Sequence, residues 1–398
     1  GMLRYGIPSY RLPKDVLDAE IAGIGALGVS FINDAALGRN MPWDALRDYD
    51  GVVVSVGCSV GRTLDIPGAG LSGIHDGVSF LRAVNSGKPM PDVQGAKVLV
   101  IGGGNVAIDV ARVARRLGAR EVSMAFLESE SKMPAYPEER ADAHTEGVTF
   151  VPGRHFLEFQ SSEGRVSGVR CVRISALRFD PQAGPIVDVV PSSEHVLAAD
   201  VVVVAIGQRA DLEFLPPELR GQWNEIAAGG VVRSGRQWIA GAGDAAEGPS
   251  SVVRAVGAGK RAAKQLDALL QGGDRPAEDN IPPVGFDRLN MAYFANSPRR
   301  EPLHAEPAAR IRGFDEVVGE LSNEAFRAEA ERCFHCGDCN FCSNCWVFCP
   351  EASIQKAAGI AGVNGLPRFE VEYGSCKGCG ICMHECPRAA IVMQEEAR

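Results

Sequence analysis

Apolar residues along this chain fall into two alternating patterns, and the alternation sets the fold class. Short unbroken apolar runs (Gly51-Val-Val-Val-Ser-Val-Gly57, KVLVI from Lys97, EVSMAFLE from Glu121, and DVVVVAI at Asp200–Ile206) read as strands buried on both faces. Between them lie segments with helical spacing: KDVLDAEIAGIGALG, VAIDVARVARRLG, a stretch from about Ser251 to Leu270, and NEAFRAEAER. Residues 148–195 read as short antiparallel strands, and a Pro- and Arg-containing stretch, about 272–320, reads as extended linker. Strand–helix alternation predicts an α/β body with parallel sheets.

Composition narrows the class of protein. With 45% hydrophobic and 23% charged residues in 398, the chain can build packed cores, two or three domains by length. A net charge of −9 with scattered Lys and Arg lacks the basic stripe of a nucleic-acid binder. No apolar run approaches the roughly 20 residues of a membrane span, and the opening residues lack a signal-peptide core. Of twelve cysteines, only Cys58 and Cys171 precede position 333; the other ten lie between 333 and 386. That distribution points to a soluble, cytoplasmic protein with a metal-rich tail.

Two motifs carry chemistry. Gly102-Gly103-Gly104-Asn105-Val106-Ala107 fits G-x-G-x-x-A between a buried strand and an amphipathic helix, where such a loop holds a dinucleotide. Gly102 allows the turn, Gly104 lets a pyrophosphate approach, Ala107 lets helix and strand pack, and the helix N-terminus faces the phosphates. At the end of the next strand Glu128 offers a carboxylate to a ribose 2′-hydroxyl and repels a 2′-phosphate, which predicts NAD(H) over NADP(H).

The second motif occurs twice. Cys339-x2-Cys342-x2-Cys345-x3-Cys349-Pro350 and Cys376-x2-Cys379-x2-Cys382-x3-Cys386-Pro387 are full copies of the bacterial ferredoxin run. Because the fourth cysteine serves the other cluster, Cys339, Cys342, Cys345 and Cys386 are expected to hold one [4Fe–4S] cluster. Cys376, Cys379, Cys382 and Cys349 are expected to hold the second. Zinc sites rarely repeat CxxC steps into Cys-Pro, and a cytoplasmic chain argues against disulfides. Cys333 and Cys336 fall outside the Cys-Pro register; spare or structural thiols are the first reading, with alternative cluster ligands or a further shared site as the other two. His335 and His384 read as surface histidines.

At Gly241-Ala-Gly243-Asp244 the resemblance becomes specific. GMLRYGIPSYRLP, GRTLDIPG, GGGNVAIDVA, Met133-Pro-Ala135, AIGQRAD and GDAAEGPSSVVRAV, in order from residue 1 to about 270, resemble the small subunit of glutamate synthase and its relatives. That resemblance implies a two-dinucleotide-binding-domain flavoprotein, with an NAD(P) domain inserted in an FAD domain. The implied division is 1–65 and 211–271 for FAD, 66–210 for NAD(P), 272–332 linker and helix, and 333–398 a small α+β ferredoxin-like domain. It further implies that Asp244 holds the FAD ribityl chain and that the helix starting near Ser250 and Ser251 faces the flavin. Leu3 and Gly6 would lie beside that cofactor, with Gly57 and Gly207 at the crossings between domains.

The sequence departs from that family in two places. NADPH-dependent members usually carry two arginines where this chain has Leu127 and Glu128. No second glycine loop is present for the FAD pyrophosphate, so the expectation is N-terminal truncation or completion by another polypeptide, with weak FAD binding by the chain as written.

The fusion resembles NAD(P)H:acceptor oxidoreductases associated with sulfur oxidation or aromatic-acid reduction. It implies electron transfer between nicotinamide, FAD and two clusters, to or from a protein such as ferredoxin or a larger reductase or synthase subunit, in a hetero-oligomer. Cys58 and Cys171 are solitary, which argues against a disulfide exit, and no catalytic acid, base or nucleophile is singled out. Alternatives are a glutamate synthase small subunit, which ordinarily lacks this tail, and a non-catalytic iron–sulfur subunit.

Overall fold

The computed structural model describes residues 1–180, 184–273, 283–361 and 367–395. Two compact units divide the chain: Gly1–Pro276 with His304–Gly319, and Ala277–Leu303 with Glu320–Arg398.

In the first unit the apolar runs become a five-stranded parallel sheet, in the order Ile74–Asp76, Val201–Val204, Lys97–Ile101, Glu121–Ala125, Thr149–Val151. Val98–Ile101 and Val201–Val204 are wholly buried, as central parallel strands must be when both faces are covered. The helix Asn105–Arg116 packs on one face with residues Ala107–Ala114 buried, and Phe80, Leu81, Val110 and Val113 join the largest apolar cluster there. A three-stranded sheet lies apart: Gly51–Val54 runs parallel to Gln237–Gly241, which pairs antiparallel with Val231–Ser234. The chain therefore builds part of one sheet, leaves to form the five-stranded domain, and returns. A short antiparallel pair, Val60–Gly61 with Gln208–Arg209, ties the outgoing and returning strands together.

Residues 148–195 form antiparallel strands, but one of them, Arg165–Asp180, is long rather than short. It pairs with Arg154–Ser162 and His195–Ala198 along its first half and with Gly184–Val189 along its second. The tight Glu163-Gly164 turn, both residues at positive φ, fixes the hairpin register.

The reading of 272–320 as extended linker fails for its last part. Residues 304–319 pack onto the first unit: Val317 is buried and its N–H donates to the Tyr10 carbonyl (3.1 Å), while Arg310 donates to Asp142 (2.8 Å). Val317 and the partly buried Phe314, whose ring meets Tyr10, are its apolar anchors, and Arg310 and His304 both approach Asp142, too sparse a pattern to rise above its Pro- and Arg-rich composition. The same region is crossed by a buried charge network. Arg11 donates to both Asp109 carboxylate oxygens at 2.8 Å, Arg112 and Arg116 converge on Glu146, and the Arg116 guanidinium lies 3.8 Å from the Tyr10 ring centre. Each charge is paired, which is what makes its burial tolerable.

The second unit holds a hairpin, Ile354–Ala361 with Pro367–Val371, and the short helices Asn344–Val347 and Ile381–His384. It also takes in 283–303 and the helix Asn323–Glu331, ahead of the expected boundary at 333. Among the described residues no helix is long and apolar enough to cross a membrane.

Candidate functional site

The glycine loop sits at the carboxyl edge of the parallel sheet, beside the central strand Lys97–Ile101, where neighbouring strands part and ligands enter such sheets. Its three glycines differ in what surrounds them. Gly102 has φ +135°, and a Cβ there would stand 2.3 Å from the Ala205 carbonyl oxygen. A Cβ on Gly103 would press on Phe126 and Pro134 at 3.3 Å. At Gly104 a Cβ would meet nothing within 4 Å. The loop is thus tight against its own protein at the first glycine and open at the third, the shape a pyrophosphate cradle needs. The first intrahelical bond runs from Ile108 N–H to the Gly104 carbonyl, so the N–H groups of Asn105, Val106 and Ala107 remain at the open end. Ala107 is fully buried against the strand.

Met133–Ala135 folds over this loop, the Ala135 N–H donating to the Gly103 carbonyl (3.0 Å). The Asn105 side chain is engaged by the same segment, its Oδ1 accepting from the Tyr136 N–H (2.9 Å). Neither contact was foreseen from the sequence, nor was Ala205 as the residue that excludes a side chain at Gly102; the motifs containing Met133–Ala135 and Ala205 were the only signal. Glu128 is half-buried just beyond the adjacent strand, anchored where its carbonyl accepts from Gly153 N–H (2.9 Å).

A second group forms around Asp244. Its Oδ1 accepts from the Ser250 N–H (3.1 Å) and Oγ (2.9 Å), and its carbonyl accepts from the Cys58 thiol (3.2 Å). Ser251 caps the 19-residue helix Val252–Leu270 through the Arg254 N–H (3.4 Å). Gly57 (φ +67°) and Gly243 (φ +65°) flank this group, and a Cβ on Gly57 would meet open space. These residues fit an anionic or hydroxylated ligand laid against a helix N-terminus. Gly207 (φ +122°) accepts from the Arg62 N–H at 3.0 Å, beside the short antiparallel pair. Leu3 and Gly6 belong to the N-terminal turn. There the Leu3 carbonyl accepts from Lys14 (3.0 Å), and Asn85 holds the Tyr5 carbonyl (2.9 Å).

Burial, reinforced by the Asp244 carboxylate, pushes the Cys58 thiol up. Burial pushes Cys171 up to about 11. Both therefore stay protonated and poorly nucleophilic.

In the second unit the two cysteine runs turn alike at three matched positions. Phe341, Ser343 and Ala352 have φ of 58°, 66° and 49°, and Gly378, Gly380 and Ala389, at matching distances from their cysteines, have 65°, 76° and 49°. Ala352 and Ala389 are the one matched pair in which a non-glycine residue takes this strained conformation in both runs, which marks a loop shaped for its ligands. The Cys345 thiol is pushed up by burial and by the surrounding Cys339, Cys342 and Cys386 thiols, the last drawn from the other run. Burial likewise raises Cys382, with Cys379 and Cys376 adding to it.

At Cys349 burial again raises the thiol, but the N–H groups of Ser353, Glu351 and Ile354 outweigh it and lower it on balance. Ser353 N–H lies 3.3 Å from Cys349 Sγ, and Ala390 N–H 3.3 Å from Cys386 Sγ. Donors aimed at sulfur favour thiolate and suit iron–sulfur ligation. Among the described residues no three His, Cys, Asp or Glu side chains gather tightly enough for a single metal ion. Four irons with bridging sulfide demand a wider set of thiolates than one ion does.

Residues 39–259 match the pyridine nucleotide-disulphide oxidoreductase family, and residues 369–392 match the 4Fe-4S binding domain. The chain is 37% identical over 353 residues to the NADP(+)-dependent formate dehydrogenase subunit beta of Moorella thermoacetica, covering 84% of this chain and 49% of that one. It is 30% identical over 294 residues to a putative glutamate synthase [NADPH] small chain of Cereibacter sphaeroides, covering 68% and 69%. Mycobacterium tuberculosis FprA, solved in complex with NADPH, shares the fold, with a TM-score of 0.54 at 20% identity over 68% of this chain and 74% of that one. The chain spans about half the length of the formate dehydrogenase relative. A match over more than half its residues, on a parallel sheet with this glycine loop, makes the chain a member of the pyridine nucleotide-disulphide oxidoreductase family that carries a 4Fe-4S binding domain at its C-terminal end.

Proposed function

We propose that this chain belongs to an NAD(P)H:acceptor oxidoreductase that moves electrons between a nicotinamide nucleotide and a protein partner, with FAD and two [4Fe–4S] clusters as resident cofactors. The observation that carries the reading is the union, in one chain, of an open glycine cradle at Gly104 with a doubled cysteine module in which Cys345 lies among Cys339, Cys342 and Cys386. FAD, when bound, takes two electrons together and releases them singly, which matches a nicotinamide to one-electron clusters.

The chain's residues hold and aim these groups. Gly104 and the N–H groups of Asn105–Ala107 receive the nucleotide pyrophosphate, and Glu128 receives the ribose 2′-hydroxyl. The Ser251-capped helix turns its positive end to the flavin, beside Asp244 and Gly57. The eight cysteines of the two Cys-Pro runs ligate the clusters, with Cys386 and Cys349 exchanged between them.

Glu128 favours NADH, whereas the two relatives described above are named for NADP(H). Both relatives are subunits, which supports a protein partner such as ferredoxin or a larger reductase or synthase subunit. Thiols and iron of this kind persist in reducing surroundings, which supports a cytoplasmic location.

The test is anaerobic titration of the cofactor-loaded protein with NADH and, separately, NADPH, followed by absorbance near the flavin band and in the broad iron–sulfur region. Reduction of both chromophores, at lower concentration with NADH, is expected. Clusters that stay oxidised under excess of either nucleotide refute the proposal.

A further inference from the structure

The two cysteine runs turn alike at three matched positions but differ in the residue that precedes the exchanged cysteine. Before Cys349 stands Phe348, 48% exposed; before Cys386 stands Glu385. Glu385 is also gripped. The Tyr293 hydroxyl donates to its Oε2 (2.5 Å), and Asn344 Nδ2 donates to its carbonyl (3.1 Å). Asn290 Nδ2 donates to the His384 carbonyl (2.9 Å), and the His384 ring meets the Glu385 carboxylate at 3.3 Å. Tyr293 is close enough to Cys342, another thiol of the same set, to sense its charge. Residues 290–293 thus form a strap across one of the two ligand sets, and the Phe348 position carries no charge for a similar strap to hold.

Resting on the reading that the eight cysteines hold two clusters, we infer that the Tyr293–Glu385 pair sets the reduction potential of the cluster held by Cys339, Cys342, Cys345 and Cys386, and so makes the two clusters inequivalent. A carboxylate beside a thiolate ligand stabilises the oxidised, less negative cluster and lowers its potential; charge and hydrogen bonding near sulfur are the protein's levers on that quantity. The tyrosine hydroxyl draws part of the carboxylate charge toward itself and partly offsets the lowering. Glu385 directly precedes Cys386, and Asn344, which holds its carbonyl, directly precedes Cys345 of the same ligand set, so the effect falls chiefly on that cluster. Tyr293 and Glu385 are positioning residues: they tune a ligand set and touch no substrate.

The experiment is a potentiometric titration followed by electron paramagnetic resonance on the loaded protein, with Cys386→Ser marking the first cluster's signal. Glu385→Gln should raise that cluster's potential, and Tyr293→Phe should lower it. The Cys349 cluster should stay in place, iron content should remain about eight per chain, and the Tyr293→Phe shift should vanish in the double variant. Equal shifts in both clusters, or none in either, overturn the inference. Iron loss from Tyr293→Phe alongside an unshifted Glu385→Gln overturns it too, since the tyrosine would then serve only the fold. A wild-type protein that takes up no iron overturns the underlying cluster reading instead.

Discussion

Replacing Gly102 and Gly104 by alanine, one at a time, separates the loop's two duties. At Gly102 the new Cβ would lie 2.3 Å from the Ala205 carbonyl oxygen and 2.9 Å from its carbon, both backbone atoms that no rotamer change can move aside. The backbone at φ +135° is itself hostile to a side chain. Strain at such a position costs about 1–3 kcal/mol. Overpacking adds about 1–3 kcal/mol more. A loss of roughly 2–6 kcal/mol corresponds to a fall of about 3–10 °C in Tm for a body of this size. At Gly104 the φ is −89° and the Cβ meets open space, so stability changes by under about 1 kcal/mol, chiefly through the poorer cap.

On the proposed function, that same Cβ would occupy the volume through which a pyrophosphate reaches the helix N-terminus. Nucleotide affinity should therefore drop at least about tenfold, or about 1.4 kcal/mol. Thermal denaturation and calorimetric nucleotide titration of both variants are the assays. Wild-type nucleotide affinity in Gly104→Ala, or wild-type melting in Gly102→Ala, refutes the reasoning.

Other outcomes follow from the same geometry. Leu127→Arg with Glu128→Arg should move the ratio of kcat/KM toward NADPH by one to two orders of magnitude, about 1.4–2.7 kcal/mol, read by steady-state kinetics with both nucleotides. Cys386→Ser should cost about half of the bound iron, whereas Cys333→Ala and Cys336→Ala should cost none, as measured by iron and sulfide assay. Burial pushes Asp109 up to about 6 against the pull of Arg11. The folded state then holds this proton more tightly than the unfolded one. The contribution to stability is complete below the ordinary carboxylate pKa of about 3.9 and is lost as pH rises through 6. Asp109→Asn should flatten that part of the pH dependence of the urea midpoint, and an unchanged slope counts against it. Chelating the iron should unfold the cysteine module while the nucleotide domain keeps its melting transition, as seen by circular dichroism and limited proteolysis.

Some features of this protein were legible in local order along the chain. The unbroken runs at Lys97–Ile101 and Val201–Val204 announce buried parallel strands, because a strand covered on both faces has no polar side to show. The G-x-G-x-x-A loop and the two Cys-Pro runs are equally local: turn geometry and ligand spacing are fixed within a few residues of one another.

What separates Gly102 from Gly104 is the Ala205 carbonyl, roughly a hundred residues away, and only the packing of two strands brings it near. The attachment of 304–319 through Val317 and Arg310, and the grip of Tyr293 on Glu385, likewise depend on partners far off in sequence. A single buried valine or one hydroxyl leaves no periodicity to read. Local spacing determines which elements and ligand sets the chain can form. The tertiary structure decides which of those residues face each other, because that choice belongs to long-range packing.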